Sequence, residues 1–443
     1  MRHRATLTYL FAALFVAAAA EANPVLMISI DGLRPADVID AQARGLKVPN
    51  LRAFLAEGAY ASGVRNMLPT VTYPNHTTLV TGVAPALHGI SDNTTFDPYR
   101  KNLGGWYWYS SDIKVPTLWD AVHATHQVTA SVAWPVSAGN PSIDYDLPEY
   151  WRALTLDDIK LIAALSTPGL VAALQKDTGI PLAAALQENA AGDAVRARYS
   201  EALFARVHPE FMTVHLASLD AIQHHDGPGT PTAHATLEQI DGMVGSLVAT
   251  ARKAEPDVDI AIVSDHGFAA VDKQVNLPAA FAAAGLIALD PVKHTVAAWD
   301  AMPWNADGSA IVVLAHPEDQ AVQAKVAALL ARLAADPASG IAKVIGKKEI
   351  AARGGATEAA FWVDFKIGYY SGDNLEGPLV TPAAQKGTHG YFPDHPEMRA
   401  TFMIAGPGIA KKALGEIDMR DIAPTLAKLM GVPLPSATGK PLF

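Results

Sequence analysis

The chain has 443 residues, half of them hydrophobic, with a formal net charge of −10 and no cysteine. Such a composition supports a large core and excludes bulk disorder; without a long basic block, it also argues against a scaffold that binds nucleic acid by charge. Thiolate metal ligands and cysteine nucleophiles are excluded, and a chain of this length needs no disulfides to hold its core.

Arg2 and Arg4 flank the start, Leu7 to Ala20 is apolar, and Ala20-Glu21-Ala22 offers a small-x-small signal. Residues 1–22 are therefore expected to be an export signal, cut before Asn23, which would place the mature protein in the periplasm or outside the cell. No other run reaches the ~20 apolar residues of a membrane span. Val25 to Ile30 reads as a buried strand, and Pro49 opens a helix through about Glu57. Pro74 is expected to start a helix running to about Thr81 and stopped by Gly82, which leaves Thr72 just before its N-terminus. Pro116 starts another, through about His123, and Val128 to Ala133 is the next strand. Residues 155 to 205 look helical. Phe211 to Leu216 is a strand, Thr236 to Ala251 an amphipathic helix, and Asp259 to Val263 a strand. Strands alternating with helices in this way predict an α/β fold, a doubly wound and mostly parallel sheet flanked by helices.

From about Val292 to Lys386 the texture changes. Ala310 to Leu314, Lys343 to Ile345 and Phe361 to Ile367 read as strands and Glu318 to Ala335 as a helix. This predicts an inserted α+β cap subdomain, 292–386, in a main domain made of 23–291 and 387–443. Thr401 to Ile404 returns to the main sheet, and Met419 to Met430 closes the chain as a helix that Pro424 kinks or shifts.

Acidic and histidine residues recur at the predicted strand ends, where open α/β sheets gather their functional groups. Asp31 follows the first strand, Asp220 lies beyond the strand that ends at Leu216, and Asp265-His266 follows the strand ending at Val263. Asp220 and His224 are four apart, which on a helical turn puts both on one face. His389 sits in Gly-Thr-His-Gly-Tyr. Singly, each has an ordinary reading: a surface pair, a turn, a loop histidine. Together, six nitrogen and carboxylate ligands and one hydroxyl are what two adjacent zinc ions and a nucleophile require. Thr72 is the candidate hydroxyl, since metal coordination would lower its pKa; the alternative is that Thr70, Thr72, Thr77 and Thr78 are capping or helix-surface hydroxyls. Asn93 is a candidate contact to a phosphoryl oxygen, or a turn asparagine.

The stretch from Thr72-Tyr-Pro-Asn-His to Ser-Asp-Asn93, with these ligand motifs in this order, resembles the nucleotide pyrophosphatase/phosphodiesterase family of the alkaline phosphatase superfamily, over nearly the whole mature chain. The resemblance implies an alkaline phosphatase-like catalytic domain with Thr72 as nucleophile and Asn93 on the non-bridging oxygens. One zinc would be held by Asp220, His224 and His389, the other by Asp31, Asp265 and His266 next to Thr72. It further implies cleavage of nucleotide pyrophosphates and phosphodiesters through a phosphothreonine, releasing nucleoside monophosphates. Threonine-type monoesterases carry a Lys-x-Arg pair where this chain reads Ala133-Trp134-Pro135-Val136, an expected apolar wall with Trp134 facing the substrate. Tyr73 resembles the aromatic that stacks on a nucleobase, whereas His215 stands where the family often has a tyrosine. Trp106 to Tyr109 are a second candidate pocket lining, or packing under the cap. The rivals are an alkaline phosphatase acting on monoesters with Lys366 or Lys386 at the phosphate, a lipid head-group phosphodiesterase using aromatics for a choline-like cation, and a zinc-holding protein without turnover.

Overall fold

A computed structural model describes residues 22–443, except 103, 104 and 154. The expected export signal therefore lies outside the described residues, apart from Ala22. Asn23 is already anchored: its backbone N–H donates to the Leu429 carbonyl and its side-chain amide to Asp259.

Eight strands form the main sheet: β1 (Val25–Ile30), β2 (Ala59–Tyr60), β3 (Thr129–Val132), β4 (Tyr145–Leu147), β5 (Phe211–Leu216), β6 (Asp259–Val263), β7 (Phe402–Ala405) and β8 (Lys412–Ala413), in spatial order β8-β2-β7-β6-β1-β5-β3-β4. β1 runs parallel to both β5 and β6, as do the outer pairs β5–β3 and β3–β4; β7 is antiparallel to β6 and β2. β1, β5 and β6 are buried along their whole length, which is why they read in the sequence as unbroken apolar runs. One core layer packs Leu26, Ile28 and Ile30 against helices that include α2 (Ala190–Val207) and α4 (Pro231–Ala254). The opposite layer packs Val25 and Met27 with Trp119, Trp134 and the closing helix at Ile422 and Leu426. The sheet is thus covered on both faces, as predicted.

Most predicted elements recur with shifted ends. α1 runs Thr72–Thr81, two residues earlier than expected, so Thr72 is its first residue rather than the one before it. Pro74 then sits in the first turn, where a missing N–H is harmless, and Gly82 ends the helix at φ 69°. The helix predicted from Pro116 starts at Leu118, because Thr117 and Asp120 form a reciprocal capping pair. The helical stretch 155–205 is three helices, Asp158–Leu165, Leu170–Thr178 and α2, broken around Gly169 and Gly179, both at positive φ. The closing helix begins as a 3-10 turn, Met419–Asp421, before Ile422–Leu429.

Between β6 and β7 lies a separate four-stranded antiparallel sheet, Ala301–Ala306, Ser309–Leu314, Ala359–Phe365 and Ile341–Gly346 in that order, with the helix Gln320–Ala335 packed on it. A further strand, Ala269–Val275, pairs with Gly368–Ser371, Val380–Pro382 and Gly387–Thr388. Its alternating exposure and its Asp272, Lys273 and Gln274 hide it from an apolar-run reading.

Candidate metal centre and nucleophile

All six acid and histidine candidates converge beyond the carboxyl ends of β1, β5 and β6. β1 delivers Asp31. Gly32 follows at φ +69°, and its N–H donates to Asp265 Oδ1 at 3.2 Å; a side chain there would be strained and would crowd Gln223 and Phe268. The helix α3 (Ser218–Asp226) carries Asp220 and His224 one turn apart, with His224 Nε2 3.5 Å from Asp220 Oδ1. The neighbouring His225 points out to solvent against Asp226. β6 delivers Asp265 and His266. The short strand Gly387–Thr388 brings in His389, whose Nε2 lies 3.7 Å from Asp220 Oδ1.

Among the described residues two groups have ligand atoms within 4.8 Å of one another: Asp220, His224 and His389, and Asp31, Asp220 and His266. The first is the expected triplet. In the second Asp220 joins where Asp265 was expected, although Asp265 Oδ2 is 3.0 Å from His266 Nε2. The histidines are oriented so that they could hold an ion. Nδ1 of His224, His266 and His389 lies 3.0, 3.0 and 3.1 Å from the carbonyls of Gly387, Gly267 and Thr70. A carbonyl only accepts, so Nδ1 carries the proton and Nε2 keeps its lone pair for a cation. Burial lowers the pKa of all three, keeping them neutral.

The carboxylates carry the complementary signature. Asp31 is pushed up to about 7 by burial and by Asp220. Burial, then Asp265, raises Asp220; burial, then Asp31, raises Asp265. One oxygen of each, Asp31 Oδ1, Asp220 Oδ1 and Asp265 Oδ2, is buried with no hydrogen-bond partner. Three such oxygens in one cluster would each cost about 1–3 kcal/mol or more if nothing met them. Bound divalent cations would meet these oxygens, and the nitrogen and oxygen donors present fit such ions.

Thr72 Oγ1 lies 3.4 Å from His266 Nε2 at the edge of this cluster. Tyr73 N donates to Asn93 Oδ1 at 2.8 Å. The cavity, about 440 Å³, is lined by Asp31, Thr72, Asn93, Asp220, His224 and His389, among others. Among the described residues no lysine or arginine lines it. Lys366 instead reaches the Pro337 carbonyl on the surface, and Lys386 is exposed away from the cavity.

The expected substrate contacts fare unevenly. Trp134 does not line the cavity: it is fully buried on the other side of the sheet, edge-on to His76 at 4.8 Å and to Trp119 at 6.4 Å. Ala133 and Val136 both take positive φ, 56° and 60°, and the turn they make carries the indole into the core. Tyr73 touches the cavity but is only 1% exposed; its ring packs on Trp106 and Trp108, and its hydroxyl donates to Glu149 at 2.7 Å. Of the aromatic run, Trp106 lines the cavity, whereas Trp108 is buried and Tyr109 meets Tyr150. Glu149, Trp151, Glu188 and Asp307 line it without having been foreseen; nothing local in the sequence marks them. A second cavity of about 540 Å³, walled by Leu147, Tyr150, Ile162, Leu182 and Leu186, shares Glu149, Trp151 and Glu188 with the first.

Residues 25–392 match the family described as type I phosphodiesterase / nucleotide pyrophosphatase. The chain belongs to this family. Mouse ectonucleotide pyrophosphatase/phosphodiesterase family member 1 is 25% identical over 254 residues, which cover 56% of this chain and 24% of that protein. A venom phosphodiesterase of Crotalus durissus collilineatus is 25% identical over 256 residues, 56% of this chain and 26% of the other. The phosphodiesterase-family match thus spans about a quarter of the length of these relatives. Among solved structures, human ectonucleotide pyrophosphatase/phosphodiesterase 5 superposes with a TM-score of 0.63 at 19% identity, covering 93% of this chain and 96% of that one. The murine protein, inactive and in complex with AMP, gives 0.65 at 18%, covering 94% and 97%. These two share the fold. Among the described residues no helix is long and apolar enough to cross a membrane.

Proposed function

We propose that this member of the type I phosphodiesterase family is an exported two-zinc hydrolase that cleaves nucleotide pyrophosphates and phosphodiesters and releases nucleoside monophosphates. The observation that carries this reading is the set of three unpartnered carboxylate oxygens facing neutral imidazoles beside Thr72. One metal group would be Asp220, His224 and His389, the other Asp31, Asp265 and His266, with Asp220 at their boundary. When bound, the ions supply the positive charge that lowers the pKa of the Thr72 hydroxyl and of a water and neutralises the phosphoryl oxygens. Thr72 Oγ1 attacks phosphorus; the bond to the leaving group breaks, and a phosphothreonine remains to be hydrolysed. The Asn93 amide donates to a non-bridging oxygen where charge grows.

Among the described residues no lysine or arginine lines the cavity, which favours a diester monoanion over a monoester dianion. Residues 292–386 are read as an inserted cap, since Asn305, Asp307 and Asp373 reach the cavity from it. Residues 1–22 are read as an export signal, supported by the anchoring of the chain from Asn23 onward.

The test compares a nitrophenyl nucleotide diester with nitrophenyl phosphate on zinc-loaded protein. The expected result is a much higher kcat/KM on the diester, lost by roughly 10⁴-fold or more in Thr72→Ala. Preference for the monoester would move the assignment to an alkaline phosphatase, and zinc binding without turnover on either would leave a binding protein.

The apolar cavity that opens beside Glu149, Trp151 and Glu188 favours a second reading, a lipid head-group phosphodiesterase. Aromatic and carboxylate walls suit a quaternary ammonium next to an apolar chain. Competition by choline phosphodiesters that nucleotides do not match would select it.

A further inference from the structure

His215, on β5, is 2% exposed and has both ring nitrogens engaged. Nε2 lies 3.0 Å from Asp31 Oδ2, and Nδ1 lies 2.9 Å from Glu149 Oε2 and 3.2 Å from the Ala133 carbonyl. The other oxygen of Asp31, Oδ1, meets no hydrogen-bond donor and lies 3.4 Å from His266 Nε2, inside the ligand cluster. The carboxylate is thus divided: one oxygen is tied, the other is presented. Glu149 continues the array, since its Oε1 accepts from the Tyr73 hydroxyl, and the Tyr73 N–H fixes Asn93. A single chain of hydrogen bonds therefore joins a metal ligand, the residue after the nucleophile, and the amide that faces the phosphoryl group.

We propose that His215, anchored by Glu149, is a positioning residue that sets the orientation of Asp31 toward the metal and couples it to the Thr72–Tyr73 turn. The inference rests on the two-ion reading of the site. Outer hydrogen bonds of this kind fix ligand orientation, and their loss weakens metal binding about 10–100-fold. The imidazole between two carboxylates does this without adding a ligand: its own nitrogens are both occupied and cannot reach an ion. A tyrosine in its place would have one hydroxyl and could not bridge Asp31 and Glu149 in this way.

Zinc affinity by chelator competition and the visible spectrum of cobalt-loaded protein test the proposal in His215→Ala and in Glu149→Gln, the latter keeping the imidazole but removing the charge behind it. The expected result is a loss of zinc affinity of about 10–100-fold in His215→Ala with an altered cobalt spectrum, and a smaller change in the same direction in Glu149→Gln. A fall in kcat with little change in KM should accompany both. If His215→Ala fails to fold, Glu149→Gln decides alone. Folded variants that bind zinc within about twofold of wild type, with an unchanged cobalt spectrum, would overturn the positioning role and leave the metal site standing. A wild-type protein that binds neither zinc nor cobalt would overturn the metal reading itself, and this inference with it.

Discussion

The amide of Asn93 has two ends with different duties. Its oxygen receives the Tyr73 N–H at 2.8 Å, and in the proposed reaction its NH2 would meet a phosphoryl oxygen. Asn93→Asp keeps the acceptor but turns a second, negative oxygen toward an anionic phosphoryl group. The expected outcome is a fall in kcat/KM of about 10²–10³-fold, with zinc content by elemental analysis unchanged. An equal loss of zinc would mean that Asn93 shapes the metal site instead. Which residues meet at this scale was only partly legible. Asp31, Asp265 and His266 stood out because each closes an apolar run. The partners of His215 did not, because Glu149 and Asp31 lie 66 and 184 residues away along the chain, and no local pattern encodes such pairings. Trp134 was misread for a related reason: the left-handed conformation of Ala133 and of β-branched Val136 is one that sequence preference argues against, and it decides which face the indole takes.

α3 owes its start to a side chain from another element. Asp193, fully buried in the first turn of α2, accepts from the backbone N–H of Ala217 at 3.2 Å and of Ser218 at 2.8 Å, the donors at the α3 N-terminus. It also pairs with Arg196 at 2.7 Å. No residue of α3 caps its own start, so the helix bearing Asp220 and His224 depends on this loan. Asp193→Ala should cost about 3 kcal/mol by leaving Arg196 and two amides unpaired, and should weaken zinc binding as well. Calorimetry with and without zinc checks both; a purely local loss would lower the midpoint and leave affinity intact. Elements whose burial is uniform, β1, β5 and β6, were predicted to the residue. Those fixed by partners were not: the start of α1, the three helices within 155–205, and the half-exposed strand Ala269–Val275.

Across the molecule, the sheet gathers three carboxylates into one cluster whose unmet oxygens bound cations would balance. Folding without ions therefore works against electrostatic repulsion and unmet oxygens. Chelation should lower the thermal midpoint by roughly 3 °C for each ion lost, since an ion present at 100 times its Kd contributes about 2.7 kcal/mol. Zinc should restore it, and scanning calorimetry reads both steps; an unchanged midpoint would mean that the cluster holds no ion under those conditions.

The pairing of Gly387–Thr388 with Ala269 and Ala270 has a consequence in time. Asp31 leaves the ribosome long before His389. Until that late strand docks, the Asp220 and His224 pair lacks the neighbouring imidazole of His389. In the two-ion reading, completion of the Asp220 and His224 group would thus wait for this late strand, whereas Asp31, Asp265 and His266 have all left the ribosome well before it.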